Sequence, residues 1–355
     1  MSQLTSAIGK PLAALAVALA LVAMALAALG ANPAVTFSAL LNGAFGNWLA
    51  ATDTLVKTTP LIFTGLAVSI AFSGALWNIG AEGQLLAGAL AATACGIHLA
   101  QWPRPLAIAT VLCVGSAAGA AAGALCGWLR ARFGVTEVIS TIMLNFAVLQ
   151  ILSWAVHGPL MEPSHAYPVS QALPSAACLY RYFAPSRLNA GMLLAIAMAP
   201  VCYVWLFHST SGFELRALGR NSRAAAFFGI PVARISILVM GLSGALAGLG
   251  GAVQVSAISH RLFERFSPGW GYEAIAVALV ARLNPLAVVP SALFFGALDN
   301  GAQAIQRAQG VSPVLVQAIQ GLVIFVLLAF DTPAFARWRG GAVPAPESAG
   351  KGADA

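Results

Sequence analysis

The run Pro105-Leu-Ala-Ile-Ala-Thr-Val-Leu-Cys-Val-Gly-Ser-Ala-Ala-Gly-Ala-Ala-Ala-Gly-Ala-Leu-Cys-Gly-Trp-Leu129 contains no charged residue and spaces Gly115, Gly119, Gly123 and Gly127 four apart. A helix rises ~1.5 Å per residue, so ~20 apolar residues cross a hydrocarbon layer of ~30 Å, where the backbone has only itself to hydrogen-bond. This run is long enough. Glycines four apart line one helix face and let a second backbone approach closely in lipid. Gly244 and Gly248 repeat the spacing, with Gly241 and Gly251 beside them. Packing within one chain is the expected use of these faces, ahead of dimerisation.

Working outward, apolar runs of similar kind occupy residues 11–30, 58–76, 85–100, 136–156, 189–208, 235–257, 285–305 and 312–330, with a shorter one at 271–281. About ten spans follow. The fold class is all-α, a polytopic transmembrane helical bundle with a possible inverted repeat. Composition points the same way: 59% of residues are apolar, 8% are charged and the mean hydropathy is +0.85, too few charges to cover a water-facing surface. Residues 11–30 follow Lys10 as a signal peptide would, but their apolar run is about twice the length of a signal core, so a retained helix is expected. Residues 1–340 read as one membrane domain. Residues 341–355, mostly Gly, Pro, Ala and Ser, read as a disordered cytoplasmic tail.

Short loops rich in Lys and Arg stay in the cytoplasm. With ten spans both termini share a side, and Lys10, Arg130, Arg132, Arg216, Arg220, Arg223, Arg234, Arg282, Arg337, Arg339 and Lys351 fall on it. Both termini are therefore expected in the cytoplasm. Arg104, Arg181, Arg187, Arg261, Arg265 and Arg307 fall on the other side and run against the bias.

Several function classes are excluded by missing parts. The chain has three lysines, Lys10, Lys57 and Lys351, and none sits in a G-x-x-x-x-G-K-[ST] phosphate loop, so no ATP site of that kind is present. His98, His157, His165, His208 and His260 form no H-E-x-x-H pair, and the five cysteines lack metal-ligand spacing. No metal, cofactor or enzymatic nucleophile is expected. The net charge of +7 comes from arginines between apolar runs, not from a basic patch with interleaved aromatics, so nucleic acid is not a partner.

One polar segment stands out: Ser211-Gly-Phe-Glu-Leu-Arg-Ala-Leu-Gly-Arg-Asn-Ser-Arg-Ala-Ala-Ala-Phe-Phe-Gly-Ile-Pro231. Asn221 or Ser222 can cap a short helix over residues 223–228, Gly229 supplies its stop and Pro231 prevents continuation. Positive-inside anchoring accounts for the arginines but not for the capped unit. A short capped helix on the cytoplasmic face suits docking into a cleft of a soluble ATPase. Its candidate contacts are Glu214, Arg216, Gly219, Asn221, Arg223, Ala224, Ala225 and Gly229.

The stretches Leu76-Trp-Asn-Ile-Gly-Ala-Glu-Gly-Gln84 and Thr136-Glu-Val-Ile-Ser-Thr-Ile-Met-Leu-Asn145, residues 219–230, Leu242-Ser-Gly-Ala-Leu-Ala-Gly-Leu249 and residues 271–285 resemble the permeases of bacterial nucleoside and simple-sugar ABC importers, of the branched-chain amino acid and ribose type. The resemblance covers roughly residues 50 to 330 in the same motif order. It implies a permease subunit in the bacterial inner membrane that moves a small polar solute, a nucleoside or a simple sugar, into the cytoplasm. It also implies a cytoplasmic ATPase that binds ATP and magnesium in trans, a second permease subunit, identical or sister, and an extracytoplasmic solute-binding protein, with lipid around the bundle. The chain departs from the better-known docking loop at Arg223, where that loop has Glu before Ala-Ala, so no specific salt bridge carries over.

Charges and amides inside a bilayer are costly and kept mainly where they face protein or water. By that rule the solute-pathway candidates are Asn78, Glu82, Gln84, Asn145, Glu273, Asp299 and Asn300. Glu137 reads instead as an acid in the first turn of a helix. Residues 78–84 and 270–273 each lead through Trp and Gly to a Glu before an Ala-rich helix. Two readings stand for them: paired breaks of an inverted repeat, one toward the cytoplasm and one toward the outside, or two ordinary helix caps. The rival function is an ion-coupled secondary transporter or channel with Glu82, Glu273 or Asp299 as its ion site.

Overall fold

The computed structural model describes residues 32–309 together with Ala20, Met24 and Gly321. The expected spans at 11–30 and 312–330, and the tail at 341–355, lie outside the described residues apart from those three positions. The chain divides into two compact units, residues 1–38 with 306–355 and residues 39–305. The Asn32 side chain caps α1 (Pro33–Phe45), which starts in the first unit and ends in the second, by accepting from the Ala34 amide at 3.0 Å.

The second unit is helical. In chain order it holds α2 (Trp48–Ser73), α3 (Ala81–Gly96), α4 (Arg104–Phe133), α5 (Glu137–His157), α6 (Ala190–His208), α7 (Thr210–Arg220), α8 (Ser222–Phe227), α9 (Val232–Gln254), α10 (Trp270–Val280) and α11 (Pro285–Gln309), which ends in the first unit. A π-helical turn, Val255–Ser259, extends α9. Among the described residues five helices are long and apolar enough to cross a membrane: α2, α4, α5, α6 and α9 with its π turn.

Three expectations are corrected. The 271–281 run is an 11-residue helix, about 16 Å long, and cannot cross a bilayer alone. Helix α1 was not anticipated. Helix α2 starts at Trp48, where Asn47 accepts from the Ala50 amide at 2.8 Å, so the span expected from residue 58 begins much earlier and places Lys57 inside it.

Helix α2 is the centre of the unit, with 89% of its most apolar window buried. Beside it, α4 and α9 meet backbone to backbone. A Cβ added at Gly244 would stand 2.1 Å from the Gly119 carbonyl oxygen, and one at Gly123 2.1 Å from that of Met240. The glycine stripe is therefore used within the chain, where it brings backbone dipoles and Cα hydrogens into contact.

Segment 157–188, between α5 and α6, is irregular but tied down. Isolated bridges pair Met161 with Ser170 and Val169 with Phe263, and the Leu173 and Leu179 amides donate to the His260 and Ser256 carbonyls at 2.8 and 3.0 Å. Four of the six arginines that ran against the charge bias serve here. Arg104 bonds the Cys178 carbonyl and lies 3.6 Å over the Tyr180 ring, Arg187 pairs with Asp53 at 3.2 Å, and Arg261 pairs with Glu162. Arg181 donates to His260 Nε2 at 2.9 Å. Because Arg only donates, the neutral ring carries its proton on Nδ1, facing Cys178 Sγ at 3.3 Å.

Candidate functional site

Between α2 and α3 the chain leaves the helix over residues 76–79, and Asn78 within this break is fully buried. Its amide pairs with that of Gln84, Nδ2 donating to Oε1 at 2.9 Å and Oδ1 accepting from Nε2 at 3.2 Å. The same Nδ2 donates to Ser243 Oγ on α9 at 2.8 Å, and the Gly80 amide donates to Oδ1 at 2.9 Å. From α5, Asn145 accepts from the Gly83 amide at 2.8 Å and donates to the Ile79 carbonyl at 2.9 Å and to the Tyr272 hydroxyl at 3.3 Å. The break and four helices, α3, α5, α9 and α10, thus converge on one network of carboxamides and hydroxyls. Burial without ionisation is affordable because each of these amides is paired.

The α10 start joins the same place. Glu82, in the first turn of α3, is buried and accepts from the Gly271 amide, in the first turn of α10, at 2.7 Å. One helix's carboxylate satisfies an orphan N–H of its neighbour. Contact is so close that a Cβ on Gly271 would lie 2.2 Å from the Glu82 nitrogen. The two breaks therefore meet each other.

The other pathway candidates divide. Asp299 on α11 pairs with Lys57 on α2 at 2.9 Å, and Glu273 lies within electrostatic reach of Asp299, Glu82 and Lys57. Asn300 is a structural knot, donating to the Gly43 and Ala50 carbonyls and to Thr54 Oγ1 at 2.9–3.1 Å. Glu137 opens α5 as a first-turn acid; it is buried, pairs with Arg130 and accepts from the Trp77 amide at 3.2 Å.

Residues 211–231 form two helices. The unpredicted α7 lies across the end of α2: a Cβ on Gly219 would stand 2.3 Å from the Ser73 carbonyl oxygen, and Leu215 packs against Gly74. Arg216 donates to the Leu206 carbonyl and lies 5.0 Å from the Phe207 ring. Gly219 and Arg216 thus hold this chain's own helices, and Glu214 is half-buried. Helix α8 spans 222–227, one residue off the expected 223–228. Asn221 caps it by accepting from the Arg223 and Ala224 amides at 3.0 Å, and Gly229 ends it with φ +82°. Ala225 is buried and Ala224 half-buried, while Arg223 and Gly229 are exposed. Phe227 and Phe228, absent from the expected contacts, are 87% and 80% exposed.

Residues 50–328 match the family of branched-chain amino acid transport system permease components. The chain belongs to this family. It is 35% identical over 327 residues to a guanosine ABC transporter permease of Bacillus subtilis, covering 88% of this chain and 91% of the relative. A glucose ABC transporter permease of Haloferax volcanii is 33% identical over 345 residues, covering 94% and 90%, and a nucleoside ABC transporter permease of Lactococcus lactis is 32% identical over 336 residues, covering 92% of each. No solved structure matches it. The permease is a multi-pass membrane subunit of an ATP-binding cassette transporter and not itself an enzyme; ATP hydrolysis belongs to a separate subunit.

In this permease the sequence candidates Asn78, Glu82, Gln84 and Asn145 come together, and reasoning from residue type missed their partners Ser243 and Tyr272. The signal available was proximity to glycine-rich breaks, since Tyr272 directly follows Gly271. Lys57 was missed as well. Its signal was simple: a lysine and an aspartate half-buried in separate apolar helices each favour a counter-charge.

Proposed function

We propose that the permease carries a neutral, polyhydroxylated solute, a nucleoside before a simple sugar, across the bacterial inner membrane into the cytoplasm. The observation that carries this reading is chemical: the polar groups gathered where α3 and α10 begin are mostly amides and hydroxyls, namely Asn78, Gln84, Asn145, Ser243 and Tyr272. Carboxamides present a donor beside an acceptor, as sugar hydroxyls and base edges do, and can exchange one partner for the other without moving a charge. In the closed arrangement the amides satisfy one another. When α3 and α10 part, solute takes over those bonds. The relatives named for guanosine, nucleosides and glucose support the same solute class.

Motion is supplied from the cytoplasm, where a soluble ATPase binds ATP and magnesium and docks on α8. Helix α8 continues from α7, α7 presses on Ser73 and Gly74, and the break holding Asn78 follows directly. A displaced docking helix therefore pulls at the amide cluster through a few packed residues. A second permease subunit completes the membrane part, an extracytoplasmic binding protein delivers solute, and both termini are cytoplasmic. Proteoliposomes holding the complex, with ATP on the ATPase side, test the solute: labelled guanosine should accumulate, with glucose weaker and leucine excluded. Accumulation of leucine in preference to guanosine would overturn the reading.

A further inference from the structure

At the end of α2 a cavity of about 360 Å³ opens between the α4 terminus and the α7–α8 corner, lined by Gly74, Ala75, Arg130, Gly219, Arg220 and Arg223 among others. Its lining combines small residues, which leave the space empty, with three guanidinium groups. Arg130 is paired with Glu137. Arg220 and Arg223 are exposed and make no side-chain ion pair or hydrogen bond among the described residues. The cavity is thus net cationic, and forked guanidinium groups match planar oxyanions.

What anion fits is decided by position. The cavity sits at the end of α2, the most enclosed of the five spanning helices, against the corner from which α8 projects. Arg223 and Phe227 are four residues apart on α8 and share a face, and Phe227 and Phe228 are the most exposed aromatic side chains described. Aromatic anchors beside free arginines are the composition of a protein-binding hot spot.

We propose that this cavity is the charged half of the ATPase interface: carboxylates on the partner ATPase seat among Arg220, Arg223 and Arg130, beside an apolar cleft that takes Phe227 and Phe228. The proposal rests on the docking reading of α8 and adds to it the sign of the charge and the residues that read it. Arg223 makes the permease the cationic side, so the partner must be the acidic one.

The test uses the full transporter in detergent, with the tagged permease retaining its ATPase at low and at high salt. Wild-type retention should fall as salt rises, because partly exposed charge pairs are screened. The double variant Arg220→Gln, Arg223→Gln should lower retention at low salt by at least about fivefold and remove most of the salt dependence. Arg220→Lys with Arg223→Lys keeps the charge and should keep the salt dependence, which separates loss of charge from misfolding. Phe227→Ala should weaken retention while leaving its salt dependence. Retention by the Gln variant equal to wild type at both salts overturns the proposal. So does normal ATPase retention combined with lost thermal stabilisation by phosphatidylglycerol, which would make the cavity a lipid-headgroup site. If the wild-type permease retains no ATPase at any salt, the docking reading itself fails.

Discussion

Replacing Gly244 by Ala tests how the bundle is held together. The new methyl carbon would lie 2.1 Å from the Gly119 carbonyl oxygen, against 3.4 Å for ordinary contact. The obstacle is backbone, so no side chain can turn aside, and α4 and α9 must separate by roughly 1 Å at this point. Overpacking of this kind costs about 1–3 kcal/mol, a factor of roughly 5 or more in the folded-to-unfolded ratio. Gly241 is the control. A methyl there meets Ala124 and Ala120 at 3.5 and 3.6 Å, and Ala is the better helix former by about 0.5–1 kcal/mol. Thermal unfolding of detergent-solubilised protein, followed by size-exclusion profile, should rank Gly241→Ala at or above wild type and Gly244→Ala clearly below. Equal stability of the two variants would refute the claim that the helices touch backbone to backbone.

Other consequences follow from single contacts. Glu82→Gln keeps an acceptor for the buried Gly271 amide and should preserve assembly and uptake. Glu82→Leu strands that amide at about 1–3 kcal/mol, so membrane levels of the intact complex should drop; full transport by the Leu variant would remove Glu82 from the mechanism. Gly229→Val meets no neighbouring atom but must adopt φ +82°, a strain of roughly 1–2 kcal/mol. The exposed corner can relieve that strain by giving up the α8 stop locally, so unfolding should stay close to wild type while ATPase retention and uptake fall together. Burial, aided by the charge of Arg181 and opposed by a bond to Ser256, holds the His260 ring below its usual range. The unfolded chain then takes up the proton first, so the stability tied to the neutral ring is full above about pH 6.5 and is lost as pH falls from there through the folded value. Hydrogen exchange in segment 157–188, corrected for intrinsic rates, should accelerate on acidification in wild type and lose that response in His260→Asn.

Five spans were legible because membrane helices announce themselves by composition and length, and the glycine spacing of α4 and α9 marked both as faces for close packing within the chain. What failed was whatever depends on partners distant in sequence. Lys57 and Asp53 lowered local hydropathy, so the first turns of α2 were missed, although Asn47 offered a cap. Asn78, Gln84 and Asn145 could be nominated from cost alone, but Ser243 could not, because serine is cheap to bury and its role shows only once α9 lies against the break. Asn300 was nominated by the same rule and turned out to bind backbone carbonyls, since an amide buried for packing and one buried for solute look alike in sequence. The capped α8 was read to within one residue. Its exposed phenylalanines were passed over because an apolar residue in a membrane protein carries no signal until its exposure is known.

The central claim, that an external ATPase drives this bundle to move a nucleoside, is tested most directly by uptake in vesicles containing the permease, its ATPase and the solute-binding protein. Guanosine accumulation should require ATP, disappear when the ATPase is left out and persist when ionophores collapse the proton and sodium gradients. Accumulation that survives without ATP and vanishes with the ionophore would contradict the account and assign Glu82, Glu273 or Asp299 to ion coupling instead.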